Sequence, residues 1–181
     1  MNPFDGFIAI RDFLELGGPV LNVIAVTILL MWILIVERIL WFRGEHRKLF
    51  AAAREAWESR AERRSWYAHQ VREALVSRVR LAAEGPIPLI RTLVALCPLL
   101  GLLGTVTGMI EVFDVLALSG TGNARSMAAG VSKATIPTMA GMVGALSGVF
   151  AATILGRASA KEVERLEEAL PFDAFAGGEA E

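Results

Sequence analysis

The amino-acid sequence predicts an all-α membrane protein with three transmembrane helices, two of which extend into the cytoplasm. Three apolar runs, at residues 20–42, 89–113 and 128–156, each provide the roughly 20 residues that a helix needs to cross a bilayer. The chain has 181 residues, is 54% hydrophobic and has a mean hydropathy of +0.50, values that a soluble domain of this length rarely reaches. Polar sequence with helical periodicity follows the first and third runs, at 43–88 and 157–181, and predicts the extensions.

Residues 1–19 are expected to lie along the periplasmic membrane surface as an amphipathic segment. Phenylalanine and isoleucine recur there at helical spacing, and acidic residues outnumber the single Arg11, whereas a signal peptide begins with basic residues. Gly17, Gly18 and Pro19 then turn the chain inward. The first span, 20–42, carries large side chains on all sides, which predicts that it faces lipid.

The polar segment 43–88 contains ten Lys and Arg residues against six Asp and Glu residues. Basic excess next to a span marks the cytoplasmic side, so we expect the N-terminus outside and the C-terminus inside. Helix-forming residues predict two helices with a bend near 59–65. A nucleic-acid surface is the weaker interpretation, because charge runs are usually solvated helix faces.

The second and third spans are predicted to pack closely against each other. Gly101, Gly104 and Gly108 share one face of the second span. Small residues also recur along one face of the third span at alternating steps of four and three: Ala134, Thr138, Gly141, Ala145, Gly148 and Ala152. Faces of this kind let membrane helices approach closely. The connection 114–127, rich in Ser and Gly, suits a periplasmic loop, and the third helix is expected to continue to about Ala169, before Pro171.

Polar residues mark the outer end of the third span. Lys133, Thr135 and Thr138 surround Pro137, which weakens the helix at that point because proline has no amide hydrogen. This pattern indicates a lined path rather than a simple anchor. Pro98 has a similar effect in the second span.

The sequence offers no catalytic, metal or cofactor site. The single cysteine, Cys97, excludes an internal disulfide, and two isolated histidines do not make a metal cluster. No acidic residue lies near the middle of a span. Glu111 stands close to the outer end of the second span, where loop anchoring or subunit pairing is favoured over proton transfer. If protons cross the membrane here, another chain has to supply the titrating acid.

Two segments carry a resemblance to a known family. PLLGLLGTVTG, at 98–108, is similar to the second-helix motif of the MotA/TolQ/ExbB proton-channel family, and GVSKATIPTMAG, at 130–141, is similar to its third-helix motif. The three-span layout resembles ExbB-like and TolQ-like members rather than four-span ones, and the short chain and the stretch ATIPTMAG, at 134–141, favour an ExbB-like protein. The resemblance implies a ring-shaped homopentamer in the bacterial inner membrane. Its lumen would hold an ExbD-like single-span partner bearing one membrane aspartate, and proton flow would energise outer-membrane transport through a TonB-like protein.

The same resemblance implies roles for individual residues. Thr105 and Thr138 correspond to the pore threonines of the family, and their hydroxyls would hold water or the partner's carboxyl group. Lys133 stands where well-known members carry a glutamate, and it is expected to pair with the partner's aspartate instead.

Three alternatives stay open at the level of sequence. The first is a TolQ-like subunit of the Tol-Pal envelope system, which has the same three-span layout. A structural scaffold without its own ion path predicts that Thr105→Val and Thr138→Val leave function intact. A self-sufficient channel needs its own mid-membrane charge or an inverted repeat, and neither is visible.

Overall fold

The computed structural model describes residues 11, 13–14, 17–60, 62–63, 65–119 and 124–171, and these form five helices without a strand. They are α1 (Gly18–Arg43), α2 (Glu45–Glu58), α3 (Trp66–Glu84), α4 (Ile87–Ser119) and α5 (Ala124–Ala169). The expected amphipathic segment 1–19 lies almost entirely outside the described residues.

The fold class predicted from the sequence is confirmed. Three helical stretches are long and apolar enough to cross a membrane: Gly18–Arg43, Trp66–Ala117 and Gly130–Ala169. The polar segment forms two helices interrupted after Glu58, and α5 ends at Ala169 as expected. The predicted loop 114–127 was too long, because α4 continues to Ser119 and α5 already begins at Ala124. The apolar residues between Asp114 and Ser119 continue the helix. The glycines and serines that follow them made this stretch resemble a loop in the sequence.

The chain divides into two compact units, and each is described by itself. The first unit comprises residues 1–34 and 89–151, and the second comprises 35–88 and 152–181.

In the first unit, α1 buries one face along its length. Leu21, Ile24, Thr27 and Met31 recur every three or four residues and are at most 9% exposed. The Thr27 hydroxyl donates to the Val23 carbonyl at 2.8 Å, which satisfies it within the helix. The expectation that the first span faces lipid is therefore wrong for this face, which is buried within the chain. Large side chains do not prevent packing when small residues lie opposite them.

A glycine with a left-handed backbone starts α1. Gly18 has a φ of +69°, a conformation that residues with a Cβ rarely adopt. The preceding Gly17 amide donates to the Phe13 carbonyl at 3.3 Å. The turn predicted at these glycines is present, and it sets the point at which the first apolar helix begins.

In the second unit, α2, α3 and the end of α5 enclose a hydrophobic core. Its centre is Trp57, with no exposed surface, and apolar residues of the other two helices surround it. The buried members are Ala53, Trp57, Ala68, Val76, Val79, Ala83, Val163, Leu166 and Leu170. Burial of this set explains why the polar segment keeps apolar residues at helical spacing.

Arginines fix the ends of helices in this second unit. Arg72 on α3 donates to the carbonyls of Leu170 and Glu167 at 2.7 and 2.8 Å, at the C-terminus of α5. Arg38 near the end of α1 is only 3% exposed, donates to the Ala82 carbonyl of α3 and lies 4.1 Å from the centre of the Trp41 ring. Both guanidinium groups meet carbonyls that a helix end leaves unpaired.

Candidate functional site

The site begins with the seam between α4 and α5, where small residues replace bulky ones. Gly141, Gly148, Ala134, Ala145 and Ala152 on α5 are all buried, whereas Thr138 is partly buried. The residues that their spacing predicted to share one face of α5 therefore do lie on one packed face. Since no member is larger than threonine, the two backbones approach each other closely.

Glycines of α4 meet this face in antiparallel register. A Cβ on Gly101 would lie 3.0 Å from the Cα of Thr138, and one on Gly108 would lie 2.7 Å from the Cα of Ala134. One turn further inward, a Cβ on Gly141 would meet the carbonyl oxygen of Cys97. The atoms that these Cβ atoms would meet belong to the backbone, so no side-chain rotation can make room for a larger residue.

Other glycines of the first unit, on α4 and α5, pack against larger side chains instead of backbone. Gly104 faces the buried Pro137, and a Cβ on Gly104 would also lie 3.3 Å from the Cγ1 atom of Val20 on α1. Gly148 faces Met31 and Val94, so α1 also packs on this side of α5. The first unit is therefore a three-helix arrangement in which larger side chains pack against glycines. One of these glycines, Gly144 opposite Ile28, was not predicted from the sequence.

The two candidate pore threonines lie at one level along α4. Thr138 donates its hydroxyl hydrogen across the seam to the carbonyl of Gly101 at 2.9 Å. Thr105 donates within its own helix to the carbonyl of Leu102 at 2.7 Å. The two acceptors are consecutive residues, which sets the hydroxyl groups near the same depth. Both side chains are partly exposed, so each hydroxyl oxygen keeps lone pairs for an incoming group.

Thr135 behaves as an ordinary helical threonine. Its hydroxyl donates to the carbonyl of Ser132 at 2.9 Å, and its side chain is exposed. Thr107 on α4, which the sequence analysis left aside, likewise donates to the carbonyls of Leu103 and Gly104 at 3.1 Å. The hydroxyl hydrogens at this level are thus already used by the backbone.

An ion pair lies toward the C-terminal end of α4 and the N-terminal end of α5. The ammonium of Lys133 on α5 lies 2.6 Å from a carboxylate oxygen of Glu111 on α4. Their side chains are 39% and 50% exposed, so both charged groups remain accessible from outside the chain. Both residues were candidates from the sequence, but separately. The sequence could have predicted this ion pair, because both residues lie near the same end of two helices expected to be antiparallel.

Large apolar side chains on α4 and α5 have no partner within the described part of the chain. On both helices a row of residues is at least half exposed, and these residues turn away from the seam: Leu99, Leu102, Leu103, Val106, Ile110, Phe113, Met139, Met142, Val143, Leu146 and Phe150. Such a surface requires lipid or another apolar chain to cover it.

The described residues contain no group of three or more His, Cys, Asp or Glu side chains that could hold a metal ion. Between Arg91 and Glu111 on α4, and between Lys133 and Arg157 on α5, the chain has no charged residue. The arrangement can therefore accept hydrogen bonds in mid-span, but it has no acid or base of its own there to carry a proton.

Comparisons with known proteins point to one family. Residues 43–168 match the model of the MotA/TolQ/ExbB proton channel family. Two similar proteins of Synechocystis sp. are named as putative ExbB-like biopolymer transport proteins. ExbB-like 1 is 49% identical over 61 residues, which cover 32% of this chain and 24% of that protein. ExbB-like 3 is 35% identical over 68 residues, which cover 36% and 32%. The chain thus matches about a quarter to a third of the length of these relatives. No solved structure matches.

Proposed function

Because the chain belongs to the MotA/TolQ/ExbB proton channel family, we propose that it is the ExbB-like stator subunit of a motor driven by the proton-motive force. In this proposal it works with an ExbD-like single-span partner that carries a membrane aspartate, and the motor energises outer-membrane transport through a TonB-like protein. The Tol-Pal envelope system is the alternative setting for the same chemistry.

One observation carries the proposal: two threonine oxygens lie at one depth, between Arg91 and Glu111 on α4 and between Lys133 and Arg157 on α5, where neither helix has an acid. A proton crossing at this depth needs a titrating group. Thr105 and Thr138 supply acceptors but no charge. A partner helix bearing one carboxyl group supplies what is missing, and the unpartnered apolar faces of α4 and α5 suit further helices.

The hydrogen bonds of the threonines favour the protonated form of the partner's acid. Thr138 already donates its hydrogen to Gly101, so it meets an incoming group with its lone pairs alone. A neutral carboxylic acid donates a hydrogen bond to such an oxygen, whereas a carboxylate is an acceptor only. The ionised acid would require a threonine hydroxyl to leave its backbone carbonyl. Passage of the partner past this level is therefore easiest while its acid carries the proton.

The ion pair of Lys133 and Glu111 lies outward of the threonines. Thr138 follows Lys133 by five positions, about 7.5 Å along a helix at 1.5 Å per residue. Lys133 is already neutralised by Glu111, and a partner carboxylate would compete with Glu111 for it. We propose that attraction to Lys133, shared with Glu111, stabilises the ionised acid at the outer end, whereas the threonine oxygens stabilise the neutral acid.

The proposed assembly is a homopentamer in the bacterial inner membrane, with α4 and α5 lining the lumen. The N-terminus lies in the periplasm and the C-terminus in the cytoplasm. Supporting this placement, the basic excess falls in the segment between the first and second spans.

Replacement of Thr138 by valine tests the proposal. Thr138→Val keeps the size of the side chain and removes the oxygen, so we expect energy-dependent uptake to fall at least tenfold while the complex still assembles. Thr138→Ser, which keeps the hydroxyl, is the matched control and should retain most uptake. Uptake is measured in cells, and assembly by native mass spectrometry of the chain purified with its single-span partner.

The scaffold alternative makes the opposite prediction. A chain that only holds its partner needs the packed seam but no hydroxyl oxygen facing the partner. In that case the hydroxyl groups of Thr105 and Thr138 serve only their hydrogen bonds to backbone carbonyls. Normal uptake in the Thr105→Val and Thr138→Val variants together would refute the motor and favour the scaffold.

A further inference from the structure

A groove in the second unit lies outside the seam and has no part in the proposed motor. It has a volume of about 490 Å³ and is formed by the end of α1, one face of α2 and the facing turn of α5. Its walls combine aromatic rings with cations: Phe42, His46, Arg47, Phe50, Ala51, Arg54, Glu162 and Arg165.

The charge of the groove is positive. Three guanidinium groups line it against the single carboxylate of Glu162. Arg165 lies 2.6 Å from that carboxylate, and Arg54 lies 2.6 Å from Glu58. Arg47 is exposed and forms no ion pair or hydrogen bond with the part of the chain that the structure describes. An anion of fixed geometry is the ligand that such arginines bind best.

His46 provides a second, independent sign of a ligand. Its side chain is only 8% exposed, yet its Nε2 atom makes no hydrogen bond within the described residues. The nearest charged atom is a carboxylate oxygen of Glu162 at 3.5 Å, beyond good hydrogen-bonding distance. The rings of Phe42 and Phe50 lie 5.9 and 6.0 Å from the imidazole and hold it against the groove. A buried polar atom without a partner is costly unless a bound group satisfies it.

The position of the groove along the chain identifies the source of the anion. Phe42 is the last residue but one of α1, a helix apolar enough to cross a membrane. The groove therefore starts where the hydrocarbon of a bilayer would end, and its aromatic wall suits the boundary between acyl chains and headgroups. Basic pockets at this level bind anionic lipid headgroups.

We propose that this groove binds the headgroup of an anionic phospholipid. The phosphate lies among Arg47, Arg54 and Arg165, His46 donates from Nε2 to a phosphate or glycerol oxygen, and Phe42 and Phe50 contact the glycerol and the first carbons of the acyl chains. The inference requires α1 to cross a bilayer, but it does not depend on the motor, the partner or the threonines.

Binding of dioctanoyl phosphatidylglycerol to the purified full chain tests the proposal. Native mass spectrometry in detergent measures the dissociation constant for the wild type and for Arg47→Gln/Arg54→Gln, which should bind about 25-fold more weakly because each nearby cation contributes about fivefold. Arg78→Gln/Lys161→Gln removes the same charge from exposed positions outside the groove and should bind like the wild type. Ala51→Trp fills the groove without changing its charge, and it should also weaken binding.

Each other outcome overturns the proposal. Equal losses in the groove and control variants would show general electrostatic attraction. Binding of dioctanoyl phosphatidylcholine as tight as that of phosphatidylglycerol would show that the groove does not select an anionic headgroup. Inorganic phosphate competing as well as the lipid would assign the groove to a free anion. A smaller oligomer mass for Ala51→Trp would assign it to a contact between subunits. Melting curves from circular dichroism check that every variant is folded.

Discussion

Gly108 shows how strictly one residue of the seam is constrained. A Cβ at this position would lie 2.7 Å from the Cα of Ala134, and a backbone atom cannot turn aside as a side chain can. The contact therefore reaches across two helices with nothing between them. Glycine is required here for close approach and not for an unusual backbone angle, because Gly108 lies within the regular helix α4.

We expect Gly108→Ala to destabilise the chain. Overpacking costs about 1–3 kcal/mol, whereas the better helix propensity of alanine returns at most about 1 kcal/mol. The melting temperature of the detergent-solubilised chain should fall. Gly44→Ala is the control, since its Cβ would meet only the carbonyl of Leu40 at 3.7 Å. A higher melting temperature for Gly108→Ala would show that the seam is looser than the structure has it.

The sequence predicts which residues have this size restriction, but not which atoms they meet. Small residues at steps of three and four identify the face of α5 directly. The hydrogen bond from the Thr138 hydroxyl to the Gly101 carbonyl depends on the register between two helices, and neither helix alone specifies that register. The same holds for Lys133 and Glu111, whose pairing needs both the antiparallel direction and the register.

At the scale of elements, two arginines of α3 bind the end of α5: Arg80 pairs with the Glu167 carboxylate, and Arg72 binds the backbone. The last carbonyls of a helix have no partner within it. Arg72 of α3 takes two of them, from Glu167 and Leu170, and its positive charge also suits the negative end of the helix dipole. Leu166 and Leu170 are fully buried beside this contact. Packing and hydrogen bonding therefore hold the same turn in place.

Arg72→Ala is expected to loosen this turn. Hydrogen bonds from charged groups contribute about 1.5–3 kcal/mol each, and here two carbonyls lose their donor. Hydrogen exchange followed by mass spectrometry should show faster exchange in residues 163–170. Arg78→Ala, an exposed arginine on the same helix, should leave that exchange unchanged. Equal protection in both variants would mean that apolar packing alone fixes the end of α5.

The elements differ in how far the sequence predicts them. The length and end of α5 follow from its pattern and from Pro171. The packed face of α1 does not, because its buried residues, Leu21, Ile24 and Met31, are as large as its exposed ones. Glycines opposite α1 contribute to this packing, with Gly104 beside Val20, Gly144 beside Ile28 and Gly148 beside Met31, and each of them lies more than 80 residues further along the chain.

At the scale of the whole molecule, the distribution of charge predicts orientation in the membrane. The excess of basic residues in 43–88 should retain that segment in the cytoplasm. The start of α5 should then face the periplasm, and residues beyond the third span should face the cytoplasm. The two ends of one 46-residue helix are thus expected to lie in different compartments.

Single cysteines test this orientation. In a Cys97→Ser background, which has no other cysteine, Ala128→Cys should react with a membrane-impermeant maleimide added outside spheroplasts. Lys161→Cys should react only after permeabilisation. Both residues are exposed, so burial does not explain a difference between them. The reverse pattern of labelling would invert the proposed orientation.

Cys97 also gives the wild-type chain an internal reporter. Its side chain has no exposed surface, and its carbonyl oxygen lies against Gly141 in the seam. A thiol reagent that partitions into the bilayer reaches this sulfur only when α4 separates from α5 or α1, so the rate of alkylation measures how often these helices part. A working cycle that spreads these helices would accelerate the reaction in energised membranes. One that turns them as a rigid group would leave the rate unchanged.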